Sequence, residues 1–170
     1  MLATGSVGMA EPTTRAAPKP DPDEDPLWQA ELRLGYGVEL GGSGDRMTTR
    51  SSPVTLAAIA SFAVQDEPRI LGYGGFIGEL YNRNAAGATG GISYAPHGTS
   101  VRLSGGGIAF VAPYSLVGAT ASGGLCRKRE PPLQLCGDVQ VTEYFAGSDL
   151  ASGHAVTQIQ LVLGAVFDVL

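Results

Sequence analysis

The sequence predicts an all-β chain, a single up-and-down antiparallel barrel of about eight strands running from residue 27 to 170. Three observations lead there. Apolar and polar residues alternate with period two in successive segments. The chain's 25 glycines are scattered through the apolar stretches, and no long window carries apolar residues at helical spacing. Breaks rich in Gly, Pro, Asn, Asp and Ser separate the alternating segments at short intervals.

The first segment, LWQAELRLGYGVEL (27–40), sets Trp28, Ala30, Leu32, Leu34, Tyr36, Val38 and Leu40 against Gln29, Glu31, Arg33 and Glu39. GGSGDRMTTRSS (41–52) reads as a long loop. The second, PVTLAAIASFAVQ (53–65), places Val54, Leu56, Ala58, Ala60, Phe62 and Val64 on one side, and QDEPR (65–69) turns the chain. The third, ILGYGGFIGELYN (70–82), alternates poorly, and a bulge near Gly74-Gly75 is expected. The fourth, AGATGGISYA (86–95), sets Ala86, Ala88, Ile92 and Tyr94 against Thr89 and Ser93. The fifth starts at Val101, carries Arg102 and Ser104 on its polar side and ends near Val111, while the sixth, about Tyr114 to Leu125, is weakly patterned. In the seventh, LQLCGDVQVTEYF, Leu133, Leu135, Val139, Val141 and Phe145 oppose Gln134, Asp138, Gln140 and Thr142. In the eighth, HAVTQIQLVLGAVFDVL, Ile159, Leu161, Leu163, Ala165, Phe167 and Val169 oppose Gln158, Gln160, Gly164 and Asp168.

Residues 1–26 differ in composition. EPTTRAAPKPDPDEDP (11–26) is rich in proline and acid and holds no aliphatic residue larger than Ala, so a disordered or polyproline-like leader is expected. MLATGSVGMA before it resembles the end of a secretory signal, with Gly8 and Ala10 at the small-residue positions of a cleavage site. No run of about 18 apolar residues occurs, so no transmembrane helix is expected.

Composition decides between two kinds of barrel. Only 16% of residues are charged, against roughly 25% in an ordinary soluble domain, and lysine occurs only at Lys19 and Lys128. In a soluble barrel, resembling lipocalins or avidin-like proteins and binding a small apolar ligand, the apolar side would be the core. Its surface of Gln, Thr, Ser and Gly would then be poorly defended against aggregation. With lipid outside, the apolar parity meets acyl chains, and Glu31, Arg33, Glu39, Arg102, Asp138, Gln140, Gln158, Gln160 and Asp168 form a polar network in the lumen. Acids and bases share that parity, so interior charges can pair. Segments of 10–15 residues also suit a tilted crossing, which needs roughly 9–11. The lipid-facing reading is preferred.

On this pattern, residues 27–170 resemble the small eight-stranded outer-membrane barrels of Gram-negative bacteria, the class of the outer-membrane protein A barrel. The resemblance implies a transmembrane barrel in the bacterial outer membrane, with membrane lipid as its surroundings. The chain departs from the class at its end. Phe167 has the parity of the usual terminal aromatic residue but lies three residues early in Phe167-Asp168-Val169-Leu170.

The two cysteines, Cys126 and Cys136, flank RKREPPLQL. Pairing of the sixth and seventh strands would bring them within bridging distance, and a disulfide implies an oxidising compartment, periplasmic or extracellular. Their spacing, with His97 and His154 far off, matches no zinc pattern, and neither metal nor cofactor is expected. The net charge of −5 and pI near 4.9 argue against nucleic acid, since Glu130 directly follows the basic cluster Arg127-Lys128-Arg129. A lipid-modifying enzyme of this class would need His beside Ser and an acid. His97 with Ser100, and His154 with Ser152 and Asp149, are the candidates. Both groups fall in turns without a catalytic motif, so they read as exposed loop residues and no catalytic residue is assigned. LGYGG and SGGGIAF lack the strand-to-helix context of phosphate loops and read as strand glycines.

Eight strands enclose a space that side chains largely fill, so a general porin is not expected. The expected role is structural or surface-interacting, with another envelope protein as a partner. With the N-terminus periplasmic, strand counting puts the 126–136 hairpin on the periplasmic side and the 41–52 loop outside.

Overall fold

A computed structural model describes residues 28–43, 46–65, 69–81, 84–96, 98–128, 132–150 and 154–169. The leader and signal-like segment lie outside these residues. The strands are β1 (Trp28–Ser43), β2 (Arg46–Ser51), β3 (Val54–Gln65), β4 (Arg69–Leu80), β5 (Ala85–Ala95), β6 (Val101–Ala112), β7 (Leu116–Lys128), β8 (Leu133–Gly147) and β9 (Val156–Val169). Each pairs antiparallel with its neighbour, and β1 closes on β9 from Trp28↔Val169 to Gly41↔Val156.

β2 and β3 act as one strand of the barrel, broken at Ser52-Pro53. β2 pairs with the outer half of β1 and β3 with its first half, and the register slips by one residue between them. Proline has no N–H to give to a ladder, which accounts for the break. The Ser52 amide still bonds the Gly37 carbonyl (3.0 Å), and Gly37 returns the bond to Ser52 Oγ (2.9 Å). The architecture is a closed, eight-stranded, up-and-down barrel.

A circuit from Trp28 along paired residues passes Phe62, Gly72, Ile92, Gly105, Ala121, Val141 and Ile159, and returns to β1 at Val38. That stagger means the strands tilt against the barrel axis, as closure requires.

Three sequence expectations change. β4 holds continuous register through Gly74-Gly75 against both neighbours, and the shift falls instead at Ala63/Gln65. Its poor alternation arises because Leu71, Tyr73 and Ile77 point inward, opposite glycines and Phe76. The stretch 41–52 is no simple loop, since pairing continues to Ser43↔Arg46. β7 runs on to Lys128, past the expected end of the sixth segment near Leu125, while β8 starts at Leu133 as expected.

Two inward tyrosines lie where glycine leaves room. A Cβ on Gly106 would meet Tyr73 Oη at 2.7 Å, and one on Gly118 would meet the Tyr144 ring at 2.9 Å. Here glycine permits the close approach of a large side chain to the facing backbone.

Cys126 and Cys136 form a directly cross-strand disulfide at the end of the barrel that holds the first residues of β1. No free thiol is therefore expected: alkylation of unreduced protein should add nothing, and reduction should add two protons in the mass. Replacing both cysteines by Ser should cost about 3 kcal/mol in urea unfolding, the loop-closure value for so short a loop. Ready alkylation of the native protein would contradict the bridge.

Candidate functional site

The lumen is the candidate site, and β9 shows how it is built. Leu161 and Leu163 are 61% and 58% exposed, whereas Gln158 and Gln160 are 1% and 2% exposed. The apolar parity therefore faces out and the polar parity in. Leu32, Leu34, Tyr36, Leu56, Val139 and Val141 share the outer surface. Glu31, Glu39, Arg102, Asp138, Gln158 and Gln160 are buried inside, with Arg33, Gln140 and Asp168 half-buried on the same inward parity.

One charged layer sits toward the disulfide end. Arg102 on β6 stands opposite β1 across the lumen, four strands away in either direction. Its guanidinium grips Glu31 through both carboxylate oxygens, Nη1 to Oε2 at 3.0 Å and Nη2 to Oε1 at 2.9 Å, and also donates to Asp138 on β8. Arg33 donates to Glu31 at 2.9 Å and lies over the Tyr73 ring, 5.8 Å from its centroid. Two acids and two bases thus meet with balanced charge, the condition under which buried ions are tolerated. Beyond them, Asp168 accepts from Gln29 (2.8 Å) and Gln134 (3.3 Å).

A second layer lies toward the other end. Gln158 Nε2 bridges two buried carboxylates, Glu39 at 2.9 Å and Glu79 at 3.1 Å. Arg50 Nε donates to Glu39 at 2.6 Å, Tyr114 donates to Glu79 at 3.3 Å, and Tyr144 donates to Gln158 at 3.5 Å. Between the layers, Gln160 donates to Ser52 Oγ and to the Pro53 carbonyl, both at 3.1 Å, holding the broken strand together. Gln140 donates to Thr142, and Thr142 to Thr120.

Apolar residues fill the rest. Ile77, Ile108, Phe110, Leu116 and Tyr144 pack as one buried cluster. A cavity of about 20 Å³ lies between the layers, bounded by Arg33, Thr55, Tyr73, Ser104, Gln140 and Val162 among others. That is room for about one water molecule.

Sequence reasoning missed Glu79, Arg50 and Tyr114. Glu79 lies in the glycine-rich segment whose alternation was unreadable, and Arg50 in a stretch read as loop. Of the two histidine groups, three members fall among the described residues. Ser100 and Asp149 are exposed and His154 is half-buried, while His97 and Ser152 lie outside the described residues.

Because Arg102 compensates two buried carboxylates, Arg102→Met should lower stability by about 3–5 kcal/mol, the cost of breaking a buried pair from one side. Urea unfolding in detergent micelles measures this. A loss below about 1 kcal/mol would mean that the layer carries little of the fold.

No family model matches the chain, and no curated protein matches it. Among solved structures, Neisserial surface protein A is similar with a TM-score of 0.52 at 9% identity, over 84% of this chain and 97% of that one. The de novo designed TMB2.3 aligns over 87% of this chain and 98% of its own at 14% identity, with a TM-score of 0.36, too low to define a common fold. The chain therefore has the closed, eight-stranded, antiparallel fold that its resemblance to the small outer-membrane barrels implied.

Proposed function

We propose that the protein is a small bacterial outer-membrane barrel with a structural or surface-interaction role, its lumen closed by side chains. The observation that carries this is the direction of the two parities. Large apolar side chains cover the outside from Trp28 to Phe145, and ion pairs and amides fill the inside. In water that arrangement would expose the apolar side and bury the charge, the reverse of what hydration favours. In a bilayer it satisfies both.

Aromatic residues support the same reading. Trp28, Phe62, Tyr94 and Phe167 face out near the disulfide end, and Tyr81 and Phe145 near the other, in the manner of interfacial girdles. A lumen crossed by two hydrogen-bonded polar layers and packed with a buried apolar cluster favours a plug over a conducting pore. On this reading the protein's surroundings are outer-membrane lipid, and its connecting loops are the surfaces open to another envelope protein.

A nitroxide scan along residues 157–167 tests the proposal. Odd positions should report contact with detergent or lipid, and even positions should not. The opposite pattern, or a folded monomer in buffer without detergent, would overturn it.

A further inference from the structure

Arg127 lies exposed on the outward parity of β7, two residues past Leu125 and cross-strand from Leu135 on β8. Among the described residues it is the one basic side chain on that parity, and it forms no ion pair with any of them. Lys128 and Arg129 follow it in the chain, before Glu130. The row of paired residues through Arg127 runs on through Leu135 and Ala165 to Leu32. The barrel's stagger lowers such a row toward the disulfide end as it passes from β1 back to β7. Arg127 therefore stands about level with Trp28, in the aromatic band at that end.

The same row crosses an open apolar groove of about 300 Å³, lined by Leu32, Leu34, Leu56, Leu135, Leu163 and Ala165. Its floor is at Ala165, whose cross-strand neighbours are both leucines, Leu135 on β8 and Leu32 on β1. Leu163 and Leu34 wall it one outward position further from the disulfide end, where Gly137 on β8 adds no side chain. That volume is at the lower end of the range for small-ligand sites. Ala165 and Arg127 are two strand spacings apart, about 10 Å, and the apolar stem of an arginine lets its charged head rise toward the headgroups. A cation at headgroup level beside an apolar groove matches a molecule with an anionic head and an apolar tail.

We infer that this face holds an anionic glycerophospholipid, its phosphate on Arg127 and one acyl chain in the groove at Ala165. Charge complementarity selects the occupant. A guanidinium presents a fork of donors that fits a phosphate. A zwitterionic headgroup would bring its own cation up to the Arg127-Lys128-Arg129 run, whereas a net-negative one brings none. The inference rests on the membrane reading above. With the N-terminus periplasmic, the disulfide end meets the inner leaflet of the outer membrane, whose lipids are glycerophospholipids.

Native mass spectrometry of the full chain released from detergent tests it, with dioleoyl phosphatidylglycerol competing against dioleoyl phosphatidylethanolamine. The wild type should retain the glycerol lipid about tenfold over the ethanolamine lipid, R127Q should lose most of that preference, and R127K should keep most of it. Ala165→Leu, which fills the groove and leaves the cation, should weaken retention of both lipids, and it serves as the test if R127Q does not fold. Equal retention of the two lipids by the wild type, an undiminished preference in R127Q, or stronger retention of a phosphorylated glycolipid than of either would overturn the inference. Retention of inorganic phosphate in place of lipid, unchanged in Ala165→Leu, would do the same. A nitroxide at Leu161 in the same preparation separates the two failures: if it contacts detergent while lipid preference is absent, only the lipid site falls.

Discussion

The grip of Arg102 on Glu31 spans the barrel from one wall to the opposite one, and much of the structure follows from that reach. Eight tilted strands enclose a lumen so narrow that a single arginine crosses it. Within such a width every inward charge lies close to others, so acids and bases must be matched in number and position. Glu31, Arg33, Arg102 and Asp138 meet that condition from three strands. At the other end the Gln158 amide donates to two carboxylates, Glu39 and Glu79, and Arg50 supplies a positive charge to Glu39.

The narrow lumen also sets where glycine occurs. Tyr73 and Tyr144 are too large for a wall carrying Cβ atoms everywhere, and the backbone they meet is Gly106 and Gly118. The outer wall uses small residues differently. On β6 and β7 they leave a recess, whereas on β1, β8 and β9 leucine, isoleucine and valine hold most of the outward positions. The barrel therefore presents two unlike faces to its surroundings, joined by the same inward chemistry.

What the sequence made legible depended on contrast. β1, β8 and β9 alternate large apolar with polar residues, so their inward and outward sets could be written down directly. β4 could not be read, because Leu71, Tyr73 and Ile77 face inward while Gly72, Gly74 and Gly78 face outward, which reverses the usual contrast. Glu79 was hidden for that reason. Arg50 was hidden because β1 and β2 continue pairing through residues whose composition is that of a loop. The cysteine pair was legible because a hairpin brings residues on either side of its turn into register. The diametric reach of Arg102 was not, since alternation tells which side a residue faces and not which wall it meets.

The central claim is that the apolar outside of this barrel is its lipid-facing side. Its one tryptophan, Trp28, faces outward beside Phe62 in the aromatic band at the disulfide end, with ring centroids 5.7 Å apart. Fluorescence of the protein in vesicles whose acyl chains carry bromine at set depths measures its place directly. The account predicts blue-shifted emission quenched most by bromines nearest the headgroups. Emission at the wavelength of water-exposed tryptophan, unquenched at every depth, would contradict it.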